Sequence, residues 1–135
     1  PGGAEELRPF SRFPASCWRL LIREQLDAWL GYALLAPGLP PLVLFAAHLP
    51  SKLQADPHDQ LQTASLLSQD VSRMEAQVGH SRSLVVGDLN ANPFEPSVAG
   101  AGGLHGVMTR DVAAREVRQI RRRDYAMFYN PMWGG

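Results

Sequence analysis

Cysteine is nearly absent from this chain. The single Cys17 excludes an internal disulfide and a thiolate metal cluster. One thiol is compatible with a reducing, cytoplasmic compartment. Net charge is absent too: thirteen basic and thirteen acidic residues cancel, so no global field steers the chain toward nucleic acid, although a local patch is still allowed. There is no long hydrophobic run. The longest, Leu39 to Ala47, contains two prolines and is too short to span a bilayer. The N-terminus lacks the basic-then-apolar order of a signal peptide and an initiator methionine, so a start inside a longer reading frame is expected. Internal repeats and glycosylation acceptors are missing. So is a phosphate-cradling glycine motif, since no Lys-Ser or Lys-Thr follows Gly100 to Gly103.

What remains is 135 residues, enough for one domain or a piece of one with a real core. Prolines and glycines mostly punctuate the chain rather than forming one long linker, as in a globular fold. Residues 1–15 read as an irregular lead-in. Trp18, Leu21, Ile22, Leu26, Trp29, Leu30 and Ala33 recur at spacings of three and four, which predicts a helix from Ser16, its N-cap, to Gly31 or Gly38. Strand competes for Trp18 to Ile22.

Past the breaker cluster at residues 37–41, Leu42 to Ala47 is a short continuous apolar run, as in a buried parallel strand. A well-signalled helix follows. Asp56 caps it, Pro57 suits its first position and Asp59 places negative charge in the first turn. Leu61, Ala64, Leu67, Val71, Met74 and Val78 form its apolar face, and Gly79 suits the left-handed residue beyond its end. A second strand, Leu84 to Val86, comes directly after.

Strand, helix, strand makes the two strands parallel. Their C-terminal ends then share one edge, where open α/β sheets bind ligands. His48 follows the first strand and Asp88 the second, so topology alone brings them to one rim.

The rim chemistry is specific in type. In Val86-Gly87-Asp88-Leu89-Asn90 a carboxylate and an amide stand where a strand gives way to a loop, placed to handle a water molecule and a phosphate. The plainer role for Asp and Asn there is bonding to nearby backbone. An imidazole at His48 would donate to a phosphoryl oxygen as charge builds. Ser51 and Lys52 would add a hydroxyl and a positive charge to an anion site; solvation is the ordinary fate of such a lysine. His58, His80 and His105 have no zinc spacing and read as surface or packing residues.

Downstream, Ala99 to Gly103 reads as a flexible loop. A short helix is expected within Leu104 to Arg118, with Val107, Val112, Ala113 and Val117 toward the core. Arg121 to Arg123 is a basic run, ordinarily a solvated face, with phosphate contact as the other reading. Trp18, Trp29 and Trp133 read as core.

Ala47-His48-Leu49-Pro50-Ser51-Lys52, then a helix, then Val85 to Phe94 with Asp88, Asn90 and Pro93, resembles the endonuclease/exonuclease/phosphatase superfamily. Phe128 to Trp133 resembles a segment of bacterial members. The similarity covers about residues 42–133. It implies a DNase I-like α/β sandwich and a phosphoester hydrolase dependent on Mg²⁺ or Mn²⁺. Asp88 would orient or deprotonate the attacking water. Asn90 would position the phosphate or a metal-bound group, and His48 would bond a non-bridging oxygen; either Asp88 or Asn90 would serve as a metal ligand. The substrate would be a phosphate ester, nucleic acid among the options. Leu89 departs from the usual phenylalanine. The resemblance also implies an early Asn and metal-binding Glu on strands before the His motif, and a late Ser-Asp-His; neither pattern is found. A truncated middle portion, a single domain fragment of weak activity, is the reading that follows. A non-catalytic binding module on the same scaffold is the alternative. A third reading, coincidental motifs, expects His48 and Asp88 to lie far apart.

Overall fold

A computed structural model describes residues 7–133, the side chain of Trp133 excepted. The chain is mixed α/β and divides into two compact units: residues 1–49 with 70–89, and residues 50–69 with 90–135. Residues 1–6, which open the expected lead-in, lie outside the described residues.

The first unit is a four-stranded mixed sheet. Its strands are β1 (Trp18–Arg23), β2 (Trp29–Leu34), β3 (Leu42–His48) and β4 (Ser83–Asp88), in spatial order β1-β2-β3-β4. β1 to β3 are antiparallel neighbours, and β3 pairs with β4 in parallel. The link between β3 and β4 is the long helix α1 (Pro57–Val78), the crossover that parallel strands need. Residues 70–78 of α1 belong to this unit and residues 57–69 to the second.

The helix expected over residues 16–35 is a β-hairpin instead. Trp29, Leu30, Gly31, Ala33 and Leu34 are all buried along β2, whereas an amphipathic helix would expose one side. The spacing of three and four came from two strands read across a turn. That turn is local chemistry: the Glu24 carboxylate accepts from the backbone N–H of Leu26 (2.7 Å) and Ala28 (3.2 Å), and Asp27 takes φ 56°. Gly31 is required by close approach, because a Cβ there would meet Ile22 at 2.7 Å and the Phe45 ring at 3.0 Å.

The core follows β3. Val43, Phe45 and Ala47 alternate with half-buried Leu42, Leu44 and Ala46. The run is thus fully buried on one face and partly on the other. Full burial of a side chain such as Phe45 contributes about 1.5–3 kcal/mol. Val71 and Met74 of α1 are buried as their spacing predicts, and the Trp29 indole N–H donates to Asp70 (2.9 Å), tying helix to sheet. Cys17, Leu34 and Ala36 make a small satellite cluster beside half-buried Trp18. The expected caps are present: Asp56 accepts from the backbone N–H of Asp59 (2.9 Å), and Gly79 takes φ 81°.

Beyond residues 57–69 of α1, the second unit is built from short pieces. They are α2 (Pro96–Ala99), β5 (Gly106–Val107), α3 (Arg110–Ala113), β6 (Val117–Ile120), β7 (Arg123–Ala126) and β8 (Phe128–Tyr129). β5 pairs with β8 in parallel, and β6 with β7 as a hairpin. Residues 99–103 are not a loose loop: Gly103 is buried, and backbone bonds run from Gly103 to Gly100, Leu104 to Ser97 and His105 to Gly100. The helix expected within 104–118 is one turn, α3, capped by the Thr109 hydroxyl. Val112 and Val117 are exposed, while Val98, Leu104 and His105 are buried in their place. Four-residue elements make the periodicity too short to read.

Candidate functional site

The rim predicted from topology lies in the first unit. β3 and β4 run in register, so Ala47 faces Gly87 and His48 faces Asp88 as direct backbone partners at the strands' C-terminal ends. The pairing is pinned beyond the last residues. The Leu49 backbone N–H donates to the Asp88 carbonyl (2.9 Å), and the His48 N–H donates across to Ala28 (2.8 Å). Both side chains are exposed. An imidazole and a carboxylate stand side by side at a fixed register, facing water. This contradicts the expectation, under coincidental motifs, that they lie far apart.

Gly87 makes this geometry possible. Its φ of 137° is a conformation L side chains rarely adopt, and a Cβ there would lie 1.8 Å from the Ala47 carbonyl oxygen. The glycine lets β4 turn its backbone against β3 immediately before Asp88.

The other predicted residues belong to the second unit. Asn90 follows Asp88 by two residues, takes φ 49° and is half-buried; its carbonyl accepts from the buried Gln60 amide (3.2 Å). Ser51 opens a turn, its hydroxyl and backbone N–H both directed to the Gln54 side-chain oxygen (3.4 and 3.3 Å). Lys52 is not a spare cation. Its ammonium donates to Glu95 at 2.5 Å.

Glu95 is the residue that sequence reasoning missed. It accepts from Lys52, from the Asn92 side-chain amide (3.1 Å) and from the Asn92 backbone N–H (3.1 Å), closing the Asn92-Pro93-Phe94-Glu95 turn. The hydrogen bond from Lys52 is the main reason its carboxyl is held below its ordinary value of 4.5. The available signal was an acidic residue just before Pro96, where a turn must pair its charge. Its partner is 43 residues earlier, so the pairing was not readable. Among the remaining histidines, His58 is exposed, His80 half-buried and His105 buried, as surface or packing roles require.

The donor set does not make a metal centre by itself. Among the described residues no three His, Cys, Asp or Glu side chains converge to hold an ion. Mg²⁺ is commonly held by one or two carboxylates plus substrate phosphates. The rim of the first unit offers one carboxylate beside one imidazole. No described helix is long and apolar enough to cross a membrane. Comparisons with family models, with curated proteins and with solved structures returned no match.

Proposed function

We propose that the His48–Asp88 rim binds and hydrolyses a phosphate ester, on a scaffold of DNase I-like type. The observation that carries this reading is the register of β3 and β4, which makes the two residues partners at the ligand-binding end of parallel strands. Asp88 orients or deprotonates the attacking water, and His48 donates to a non-bridging phosphoryl oxygen. The strands β1 and β2 add support, because the resemblance implies strands before the His motif and the helical spacing did not. Mg²⁺ or Mn²⁺, implied by the resemblance, would supply charge neutralisation; its ligands are not assembled among the described residues.

The test has two arms. In the first, inorganic phosphate is titrated into the chain and backbone amide NMR shifts are followed. Shifts centred on residues 48–49 and 87–90, lost in His48→Ala, are expected. The absence of any response there at tens of millimolar phosphate sinks the reading. In the second, hydrolysis of plasmid DNA and of a simple phosphodiester is measured with Mg²⁺ and Mn²⁺, for the chain and for Asp88→Ala. Turnover that Asp88→Ala leaves unchanged removes the catalytic assignment. Phosphate binding without turnover in either metal supports instead a non-catalytic binding module.

A further inference from the structure

The chain has no net charge, yet its charge is not evenly spread. Residues 115–124 hold five arginines against two carboxylates. Four of those arginines (118, 121, 122 and 123) sit on the β6–β7 hairpin and are exposed. None lies within ion-pair distance of a carboxylate among the described residues. Asp124 instead accepts from Gln119 across the hairpin (3.5 Å).

The hairpin displays them in an ordered way. Ile120 pairs with Arg123, so the connection is the two residues Arg121 and Arg122, with φ 48° and 66°. Positive φ at both positions is the tight turn that fits the twist of paired strands, and Asn-Gly is the sequence it favours. Two arginines fill it here against their backbone preference. The result is a pair of guanidinium groups at the extreme tip.

Strand alternation then places Arg118, Ile120, Arg123 and Tyr125 on one face. The Arg123 guanidinium lies over the Tyr125 ring, 5.4 Å from its centroid. The hairpin base is anchored: Met127 N–H donates to the Glu116 carbonyl (2.8 Å), and the buried His105 ring bonds the Ala126 carbonyl (2.9 Å) and meets Tyr125 edge-on.

We infer that the β6–β7 hairpin is a binding element for the phosphate backbone of single-stranded nucleic acid. Arginine, rather than lysine, provides planar forks that match phosphate oxygens and flat cations that stack on rings and bases. An Arg–Tyr face beside a cluster of exposed guanidiniums combines a backbone contact with a stacking surface, the pairing that sequence-tolerant single-strand binding uses. An acidic protein or an anionic membrane would be served by the charges alone; the aromatic face distinguishes the nucleic acid. The inference stands apart from the phosphoester reading, since none of these residues belongs to the His48–Asp88 rim.

The test uses fluorescence anisotropy of a labelled single-stranded oligonucleotide with the whole chain at several salt concentrations. The informative variant is Arg121→Asn with Arg122→Gly. It removes two charges while installing the residues the turn prefers, so the hairpin is expected to persist, as its amide shifts would report. Affinity should fall about ten-fold or more at low salt, and the dependence of log K on log salt should flatten by about 1.4, about 0.7 per lost phosphate contact. Arg118→Ala, within the strand, should weaken binding with the tip intact. Tyr125→Leu should weaken binding with the salt dependence unchanged, which reports stacking. No binding at low salt, or unchanged affinity in the tip variant, overturns the inference. Equal or tighter binding to polyglutamate or to phosphatidylserine vesicles overturns the choice of nucleic acid.

Discussion

The two units of this protein are held together by different means. The first carries long paired strands and a deep side-chain core of Trp29, Leu30, Val43, Phe45, Val71 and Met74. The second combines residues 57–69 of α1 with two- to four-residue strands, single-turn helices and many turn hydrogen bonds, with Ala64, Leu67, Val98, Leu104 and His105 among its buried side chains. Where elements are long, apolar area carries the stability and positions the rim. Where they are short, backbone bonds and local side-chain pairs such as Lys52–Glu95 do that work. The rim residues His48 and Asp88 sit at strand ends of the first unit, and the arginines stand on a hairpin of the second.

The sharpest way to break the contrast is Phe45→Ala. Its ring is fully buried and packs where Gly31 leaves room, so the substitution should cost about 3–5 kcal/mol. Chemical denaturation should report that loss, and hydrogen exchange should place it in the first unit. A small effect would mean that side-chain burial is not what holds the sheet.

Gly87→Ala should come next. Backbone strain alone is worth about 1–3 kcal/mol, and the new Cβ would meet the Ala47 carbonyl, so β3 and β4 must part next to His48 and Asp88. Phosphate-induced shifts at residues 48–49 and 87–90 should be lost together with stability. Retained shifts would show that rim geometry does not depend on this pairing.

The smallest effect is expected at Glu95, in the second unit. Its carboxyl is held below 4.5 mainly by Lys52. A depressed value means the stabilisation is present at pH above the unfolded value and is lost as pH falls through the folded one. Amide exchange around Asn92 should therefore quicken in the wild type as pH drops below about 4.5, by the same linkage. Glu95→Gln should already exchange faster at neutral pH and lack that dependence. A variant with the wild-type pH profile would remove the pair from the account.

Legibility in the sequence followed element length. Helix α1 was readable residue by residue, because its Asp56 cap, its buried Leu67, Val71 and Met74 and its Gly79 terminus are all local signals. Strands β3 and β4 and their shared rim followed from connectivity. The β1–β2 hairpin was misread, because residues buried on both faces of a central strand imitate helical spacing and the Glu24 turn carries no glycine of its own. The hairpin tip at Arg121 and Arg122 was invisible, since its turn type is normally announced by Asn-Gly. Lys52 was read as a candidate for an anion site, and only the fold showed that Glu95 holds it.

By itself, then, the sequence determined α1, the parallel strands flanking it and the meeting of His48 with Asp88, because cap chemistry, apolar runs and a helical crossover act over short distances or through topology. Tertiary structure alone decided that β2 is a strand and chose strand over helix for β1, and it alone decided that Gly87 must be glycine, that Glu95 claims Lys52, and that four arginines gather on one hairpin. Each of these depends on which residues meet across long stretches of chain, and that information is set by packing and register rather than by local preference.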